Sequence, residues 1–371
     1  MPEKILMALS GGVDSAVAAA LLKQAGHELI CVTMRICSCD AVVSDENMHH
    51  GCYGMDKTAD INDAQRVARH LGTPIHVIDL CDAYEKDVLD EVIAGYSHGR
   101  TPNPCIYCNP RIKFGALVES AQKAGLQFEH IATGHYAKVE YDSTRRRYLL
   151  KKGVDEQKDQ SYFLSFLNQG HFKRVLFPLG CYSKPQVRNL AAEMGLPVPD
   201  KPESQDFVSG GYHGLLHDIG QPGPIVDAQG CQLGTHRGIA HYTIGQHKGL
   251  DMSQHEKLYV VKILPEANTI VVGREEDLFK REFVVRCLNW IAIDAPSSAL
   301  RAEVKIRSKS LFAEATIEPQ VDDVRVIFDV PQKCITPGQA AVFYHDDVVL
   351  GAGIIDSVPD ESYKIDGGND A

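Results

Sequence analysis

Residues 4–22 read Lys4-Ile5-Leu6-Met7-Ala8-Leu9-Ser10-Gly11-Gly12-Val13-Asp14-Ser15-Ala16-Val17-Ala18-Ala19-Ala20-Leu21-Leu22. The first six form a short apolar run of the kind buried on both faces in a parallel sheet, and the run from Ala16 reads as a helix. Between them, paired glycines let backbone N–H groups converge at a helix N-terminus, where the helix dipole adds positive potential. A strand, a glycine turn and a helix start together make an anion site. No lysine follows in the G-x-x-x-x-G-K-[ST] spacing, so this is not a Walker loop. A bare strand-to-helix turn would not need Ser10, Asp14 and Ser15 as well.

Working outward, strand and helix signals alternate. Residues 28–33 and 74–80 read as further strands, and 60–71, 83–95 and 114–124 as helices. Residues 130–133 are strand-like before Gly134-His135, and 181–195 carry another helix. This succession predicts an α/β fold, a doubly wound parallel sheet with its ligand at the carboxyl ends of the strands. After 197–204 (PVPDKPES) the chain turns to glycine and short β-like runs at 238–241, 257–264, 269–272, 303–308, 315–317, 324–328, 340–344 and 348–354. The expected division is 1–203, a central β-rich unit at 204–280, a C-terminal β-barrel at 281–357, and an acidic tail at 358–371.

The 371 residues are 44% apolar and 23% charged, ordinary for a globular protein. No stretch has the length of a membrane span, and the first apolar run is broken by Ser10-Gly11-Gly12, so no signal peptide or membrane partner is expected and the location reads as cytoplasmic. Eleven cysteines in that compartment read as metal ligands or reactive thiols rather than disulfides. A net charge of −11 argues weakly against nucleic acid, although a local basic face can still bind phosphates. Arg145-Arg146-Arg147 with Lys151-Lys152, and Lys305, Arg307 and Lys309, are candidate faces; composition alone favours solvated surface charge.

The second informative segment is Thr101-Pro102-Asn103-Pro104-Cys105-Ile106-Tyr107-Cys108-Asn109. Its prolines suggest an extended loop, and C-x-x-C places two thiols close enough to share a metal or react together. Arg111 and Lys113 are placed to lower a thiol pKa or meet phosphate.

The pattern S-G-G-x-D-S resembles the pyrophosphate loop of ATP pyrophosphatases, which split ATP between its α and β phosphates to adenylate a substrate. Adding GRTPNPCIYCNPRIKFGAL, IATGHYAKV, KDQSYFLSFL, ESQDF, TIGQHKGL, VKIRS and ITPGQAAVFY, the chain from residue 1 to about 355 resembles the MnmA-type tRNA-specific 2-thiouridylases. The resemblance implies a fold of the adenine nucleotide α-hydrolase type and ATP-dependent exchange of the wobble uridine's 2-oxygen for sulfur. It implies ATP and Mg²⁺, with Ala8, Leu9, Ser10, Gly11, Gly12, Val13, Asp14 and Ser15 around the departing pyrophosphate, and Met34 and Gly134 lining the nucleotide pocket. It also implies tRNA as partner, with Asn103, Pro104 and Cys105 on the flipped base. Lys158, Asp159, Gln160, His135, Arg307, Ser308 and Gln339 would contact the rest of the tRNA. Taken alone, Met34 reads equally as a core methionine, and His135 as a strand-end structural histidine.

The chain departs from that family at its sulfur chemistry. Better-known members carry Asp at the position of Cys105, a nucleophilic cysteine at that of Cys108, and a persulfide-bearing cysteine four residues after the serine matching Ser204. Here that last position is Val208, and the nearest downstream cysteine, Cys231, reads as part of a hairpin. Either Cys105 and Cys108 divide the two roles, or both join a third cysteine in holding a [4Fe–4S] cluster whose open iron delivers hydrosulfide. The Cys- and His-rich connection at 35–54 offers Cys52 as third ligand, with Cys37 and Cys39 behind it. A structural zinc site including Cys52, with His49 or His50 eligible, and no metal at all both stay open. Cys31, Cys81, Cys181, Cys287 and Cys334 lie in apolar contexts and are expected to be buried packing residues. The sulfur would come from a cysteine desulfurase, a relay protein or free sulfide. The rivals are another pyrophosphate-loop synthetase or amidotransferase, and a non-catalytic tRNA-binding iron–sulfur module.

Overall fold

The structure is a computed structural model describing residues 2–36, 51–53, 57–197, 206–208, 216, 220–250 and 257–359. Strand β1 (Lys4–Ala8) lies between β2 (Glu28–Arg35) and His130–Ala132; Ile75–Asp79 flanks β2 and Val175–Leu176 flanks the other side, all parallel. The apolar runs follow from burial on both faces. Ile5 and Met7 of β1, with Leu29 and Cys31 of β2, pack under helix α1 (Val13–Gln24), Lys57–His70 and Lys184–Glu193. Leu6 and Val32 point the opposite way, into a cluster containing Tyr84, Ile106, Leu117 and Ala121. The expected doubly wound α/β architecture is present. Because β1 has β2 on one side and His130–Ala132 on the other, the topological switch point lies at their carboxyl ends.

Six antiparallel strands between Phe279 and Ser357 close into a barrel, the first pairing with the last. A separate four-stranded sheet holds Gly223–Val226, Gln232–His236, Tyr259–Leu264 and Thr269–Gly273. Cys231 sits in the turn of its antiparallel hairpin, as read from the sequence. The run at 238–241 is not a strand: Ile239–His241 is a single 3₁₀ turn entered through Gly238, whose φ of 127° suits glycine.

A hairpin absent from the sequence reading, Ala137–Asp142 with Arg147–Lys152, adds to the barrel's edge through Lys151 opposite Val348. Its Leu150 is fully buried in one cluster with Tyr162 and Phe172 and with Val342 and Tyr344 of the barrel. That cluster reaches Leu6 and Val32, so the parallel sheet and the barrel share a core. The basic stretch on the hairpin is largely ion-paired: Arg145 with Asp142, Arg147 with Asp294, and Lys151 with Glu140 and Asp347.

The expectation for the cysteines holds in part. Cys31 is buried and bonded to Thr73, and burial pushes its thiol pKa up. Cys81 and Cys334 are half-buried, whereas Cys181 and Cys287 are exposed. Cys287 stands at a register shift in Phe279–Trp290 with φ of 52°, which breaks the in–out alternation its apolar neighbours suggested. Cys181 lies in the turn before the cap of Lys184–Glu193.

Leu150→Ala should cost about 2–5 kcal/mol. Because the cluster is shared, urea unfolding should still show one transition, moved to lower denaturant. Two separated transitions would contradict a common core.

Candidate functional site

The switch point holds the anion loop. Gly11 has φ of 78°, and a Cβ there would sit 2.5 Å from the Asp60 carbonyl oxygen. Gly12 is the extended N-cap of α1. Ser15 Oγ donates to the Gly12 carbonyl at 3.1 Å and accepts from the Ser10 amide at 3.2 Å, so both serines shape the turn. Leu9 N–H donates to Val32, Ala8 ends β1, and Val13 packs against the buried face of the sheet. Gly134 arrives from the neighbouring strand so closely that a Cβ would lie 2.7 Å from the Ser15 amide nitrogen. Met34, half-buried near the carboxyl end of β2, is in register with Ile78. Residues 8–15 and Gly134 therefore converge beyond the carboxyl end of β1, and Met34 stands near the carboxyl end of the adjacent β2.

The sequence did not reveal what Asp14 touches. Lys184 Nζ donates to both Asp14 carboxylate oxygens at 2.8 Å, and the Tyr136 hydroxyl donates to Oδ1 at 2.7 Å. The only local signal, Ser183-Lys184-Pro185-Gln186, marks a capping box and says nothing of a partner so far back in the chain.

The C-x-x-C pair is not on an extended loop. Pro104–Cys108 is a helix, Asn103 capping it by accepting from the Cys105 amide at 3.0 Å and Pro104 filling the first turn, where no N–H is needed. Cys105 and Cys108 thus lie one turn apart, half-buried and buried respectively. The chain continues as a wide π-type turn, Asn109–Ala116, in which fully buried Asn109 donates to the Phe163 carbonyl at 2.8 Å. Arg111 pairs with Glu91 and lies over the Tyr107 ring.

Barrel residues hold the start of this helix. Thr101 N–H donates to Pro337, Gln339 Nε2 donates to the Thr101 carbonyl at 2.6 Å, and Gly338 (φ 92°) approaches so closely that a Cβ would meet Thr101 N at 2.8 Å. Arg307 donates to Thr336 and to the Ile244 carbonyl, so the side chains of Gln339 and Arg307 join segments of the protein. Ser308 is half-buried and Lys309 exposed. Lys305 is buried, its pKa lowered first by desolvation and further by Lys152, with Asp159 opposing; both ammonium groups face the Phe312 ring.

Lys158 is half-buried, and Asp159 accepts from Gly153 N–H and from Ser161 N–H and Oγ. Gln160 accepts from the Tyr136 amide. His135 follows the strand His130–Ala132. It is 8% exposed, bonded to Thr133 at 2.7 Å and set against Phe114 and Phe177. Burial holds its imidazole pKa well below the ordinary value, with Lys113 adding to the shift.

Cys37, Cys39, His49, His50 and Ser204 lie outside the described residues. For Cys52 the backbone is placed: Gly51–Tyr53 pairs in parallel with Asp206–Val208, Gly51 opposite Asp206 and Tyr53 opposite Val208. The donor chemistry of the C-x-x-C turn fits two cluster ligands. Among the described residues, no group of three His, Cys, Asp or Glu side chains could hold a metal ion. Nor, among them, is any helix long and apolar enough to cross a membrane.

Three family models cover most of the chain: the tRNA methyl transferase HUP domain at residues 3–209, the PRC-barrel domain at 216–274 and the aminomethyltransferase beta-barrel domain at 280–355. The tRNA-specific 2-thiouridylase MnmA of Acetivibrio thermocellus is 43% identical over 361 residues, 95% of this chain and 99% of that protein. This chain belongs to the MnmA family. The MnmA protein of Endomicrobium trichonymphae is 44% identical, over 95% of this chain and 98% of its own. The solved U34-tRNA thiolase NcsA from Methanococcus maripaludis, with its [4Fe-4S] cluster, is 21% identical at a TM-score of 0.33, covering 54% of this chain and 59% of that one, a likeness too low to argue from.

Two outcomes follow for this MnmA-family chain. Gly134→Ala should weaken ATP binding at least about tenfold by pushing the two backbones apart, read by calorimetry beside an unchanged circular dichroism spectrum. His135 is neutral in the fold but takes a proton near pH 6.5 when unfolded, so the unfolded state binds more protons and stability falls as pH drops below about 6.5. His135→Gln should flatten the urea-midpoint slope between pH 7.5 and 5.5 by up to about one proton; an unchanged slope would mean the imidazole titrates normally.

Proposed function

We propose that this chain is an ATP-dependent tRNA-uridine 2-sulfurtransferase acting on the wobble uridine, position 34. The observation that carries the reading is kinship along 95% of the chain with relatives named tRNA-specific 2-thiouridylase. The chemistry agrees with the site. A uracil 2-carbonyl is a poor electrophile, so its oxygen attacks the α-phosphorus of ATP, pyrophosphate departs, and the oxygen becomes part of an AMP leaving group. Residues 8–15 receive the pyrophosphate at the N-terminus of α1, with Met34 and Gly134 beside the nucleotide. Mg²⁺, held by the phosphates, would neutralise the developing charge. Sulfur then bonds to C2 as the C2–O bond breaks and AMP leaves.

The flipped base would meet Asn103, Pro104 and Cys105 at the start of the C-x-x-C helix, with His135, Lys158, Asp159, Gln160, Arg307, Ser308 and Gln339 on the tRNA side. With Val208 where better-known members place a cysteine, Cys105, Cys108 and Cys52 would together hold a [4Fe–4S] cluster. Its support is the pair of thiols set one turn apart in Pro104–Cys108, together with the absence of a cysteine at position 208. When bound, such a cluster supplies an open iron that carries hydrosulfide to the activated base. The sulfur donor would be a cysteine desulfurase, a relay protein or free sulfide.

The test uses protein purified without oxygen, assayed for iron, sulfide and thiolation of unmodified tRNA with ATP and sulfide. About four irons per chain are expected. Cys52→Ala, Cys105→Ala and Cys108→Ser should each cut thiolation by about 100-fold or more. Full thiolation by iron-free protein would remove the cluster and leave a thiol pair. Pyrophosphate release that needs a small metabolite and ignores tRNA would sink the sulfurtransferase reading.

A further inference from the structure

We infer that Lys184 is a positioning residue of the nucleotide loop, which cancels the charge of Asp14 so that the loop can accept pyrophosphate. The inference rests on the proposed role of the loop as the pyrophosphate site.

The loop presents a contradiction that its own residues do not resolve. An anion site gains from backbone N–H groups and from a helix N-terminus, and loses from any fixed negative charge among them. Asp14 puts a carboxylate in the first turn of α1, inside that site, and the loop contains no basic residue. The cancelling charge comes from elsewhere. Lys184, whose side chain is 8% exposed, places its ammonium 2.8 Å from each Asp14 oxygen. The Tyr136 hydroxyl, on a residue 2% exposed, makes the third contact. A lysine that enclosed is costly unless it is paired, and this pair is two-pronged.

Both partners of Asp14 are themselves anchored. Lys184 N–H, at the start of Lys184–Glu193, donates to Asp155 Oδ2 at 2.8 Å. Tyr136 exchanges backbone contacts with Gln160: its N–H donates to Gln160 Oε1 at 3.0 Å, and its carbonyl accepts the Gln160 N–H at 2.9 Å. The Asp14 carboxylate is therefore held in one orientation by two arms that start from one segment, residues 155–160. A surface lysine meeting a passing carboxylate would have neither the burial nor the second arm.

The experiment is calorimetric titration of the full chain with inorganic pyrophosphate in EDTA, so that no divalent cation compensates for a missing charge. Lys184→Met should weaken binding about 20-fold by leaving Asp14 uncompensated, while Lys184→Arg stays within about threefold. The double variant Asp14→Asn/Lys184→Met removes both charges, and should regain most of the lost affinity. It also covers the case in which Lys184→Met alone fails to fold around a bare carboxylate. In thiolation assays with Mg²⁺, Lys184→Met should raise KM for ATP more than it lowers kcat. A double variant as weak as Lys184→Met, or a Lys184→Met that binds pyrophosphate like the parent, overturns the proposal. Failure of the parent itself to bind pyrophosphate overturns the reading of the loop, and the proposal with it.

Discussion

The close approach of two backbones at the switch point is the constraint on which the site depends. Gly134 runs against Asp14 and Ser15 with no room for a side chain, and Gly11 against Asp60 in the same way. These contacts fix where α1 begins relative to β1, the strand His130–Ala132 and the helix Lys57–His70. The serine hydroxyls, the helix dipole and the Asp14 clamp all take their positions from it. A looser crossing would leave the same residues present and their N–H groups divergent, and an anion site depends on convergence.

A second constraint acts from outside the sheet. The helix bearing Cys105 and Cys108 runs directly into the π-type turn Asn109–Ala116 and the helix Leu117–Lys123, and its start is fixed from outside. It is held by its Asn103 cap, by Asn109 on Phe163, and by the barrel's grip on Thr101 through Pro337, Gly338 and Gln339. Motifs far apart in the chain, RTPNP, TIGQ, VKIRS and ITPGQ, meet there. The family resemblance gives Arg307 and Gln339 to RNA, and in the fold Gln339 ties the barrel to the segment entering the thiol-bearing helix while Arg307 ties it to the Ile244 carbonyl. The two roles are compatible: a group that joins two segments can also report to one of them what the other has bound.

What could be read in advance follows the range of the interactions. The loop at 10–15, its strand and its helix are neighbours in sequence, so spacing and residue type suffice to describe them. The same holds for the hairpin around Cys231 and for the later barrel strands, whose periodicity is local, though the first, Phe279–Trp290, with its register shifts, was not read. Lys184 was invisible because its partner lies in another element, and nothing in a capping box points to it. The enclosure of His135 was equally invisible, because a histidine beside a glycine carries no sign of whether Phe114 and Phe177 will surround it. Cys287 shows the reverse error: apolar neighbours imply burial only while the strand keeps its alternation, and a bulge there turns the thiol outward. The C-x-x-C segment looked extended because its prolines were read as breakers, when Pro104 in a first turn favours a helix.

The hairpin from Ala137 to Lys152 bears on how the molecule comes into being. Lys151 pairs with Val348, and Leu150 waits on Val342 and Tyr344, so a piece of the early chain has its partners near the end. During synthesis that apolar edge emerges long before the strand that covers it, and the contact is among the most distant in sequence that the fold makes. The amino-terminal part can assemble its parallel sheet while the ribosome is still at work, but its core closes only when the last strands arrive. A nascent chain in that interval exposes a strand edge of the kind that invites aggregation, and the cell's holding chaperones would find it there.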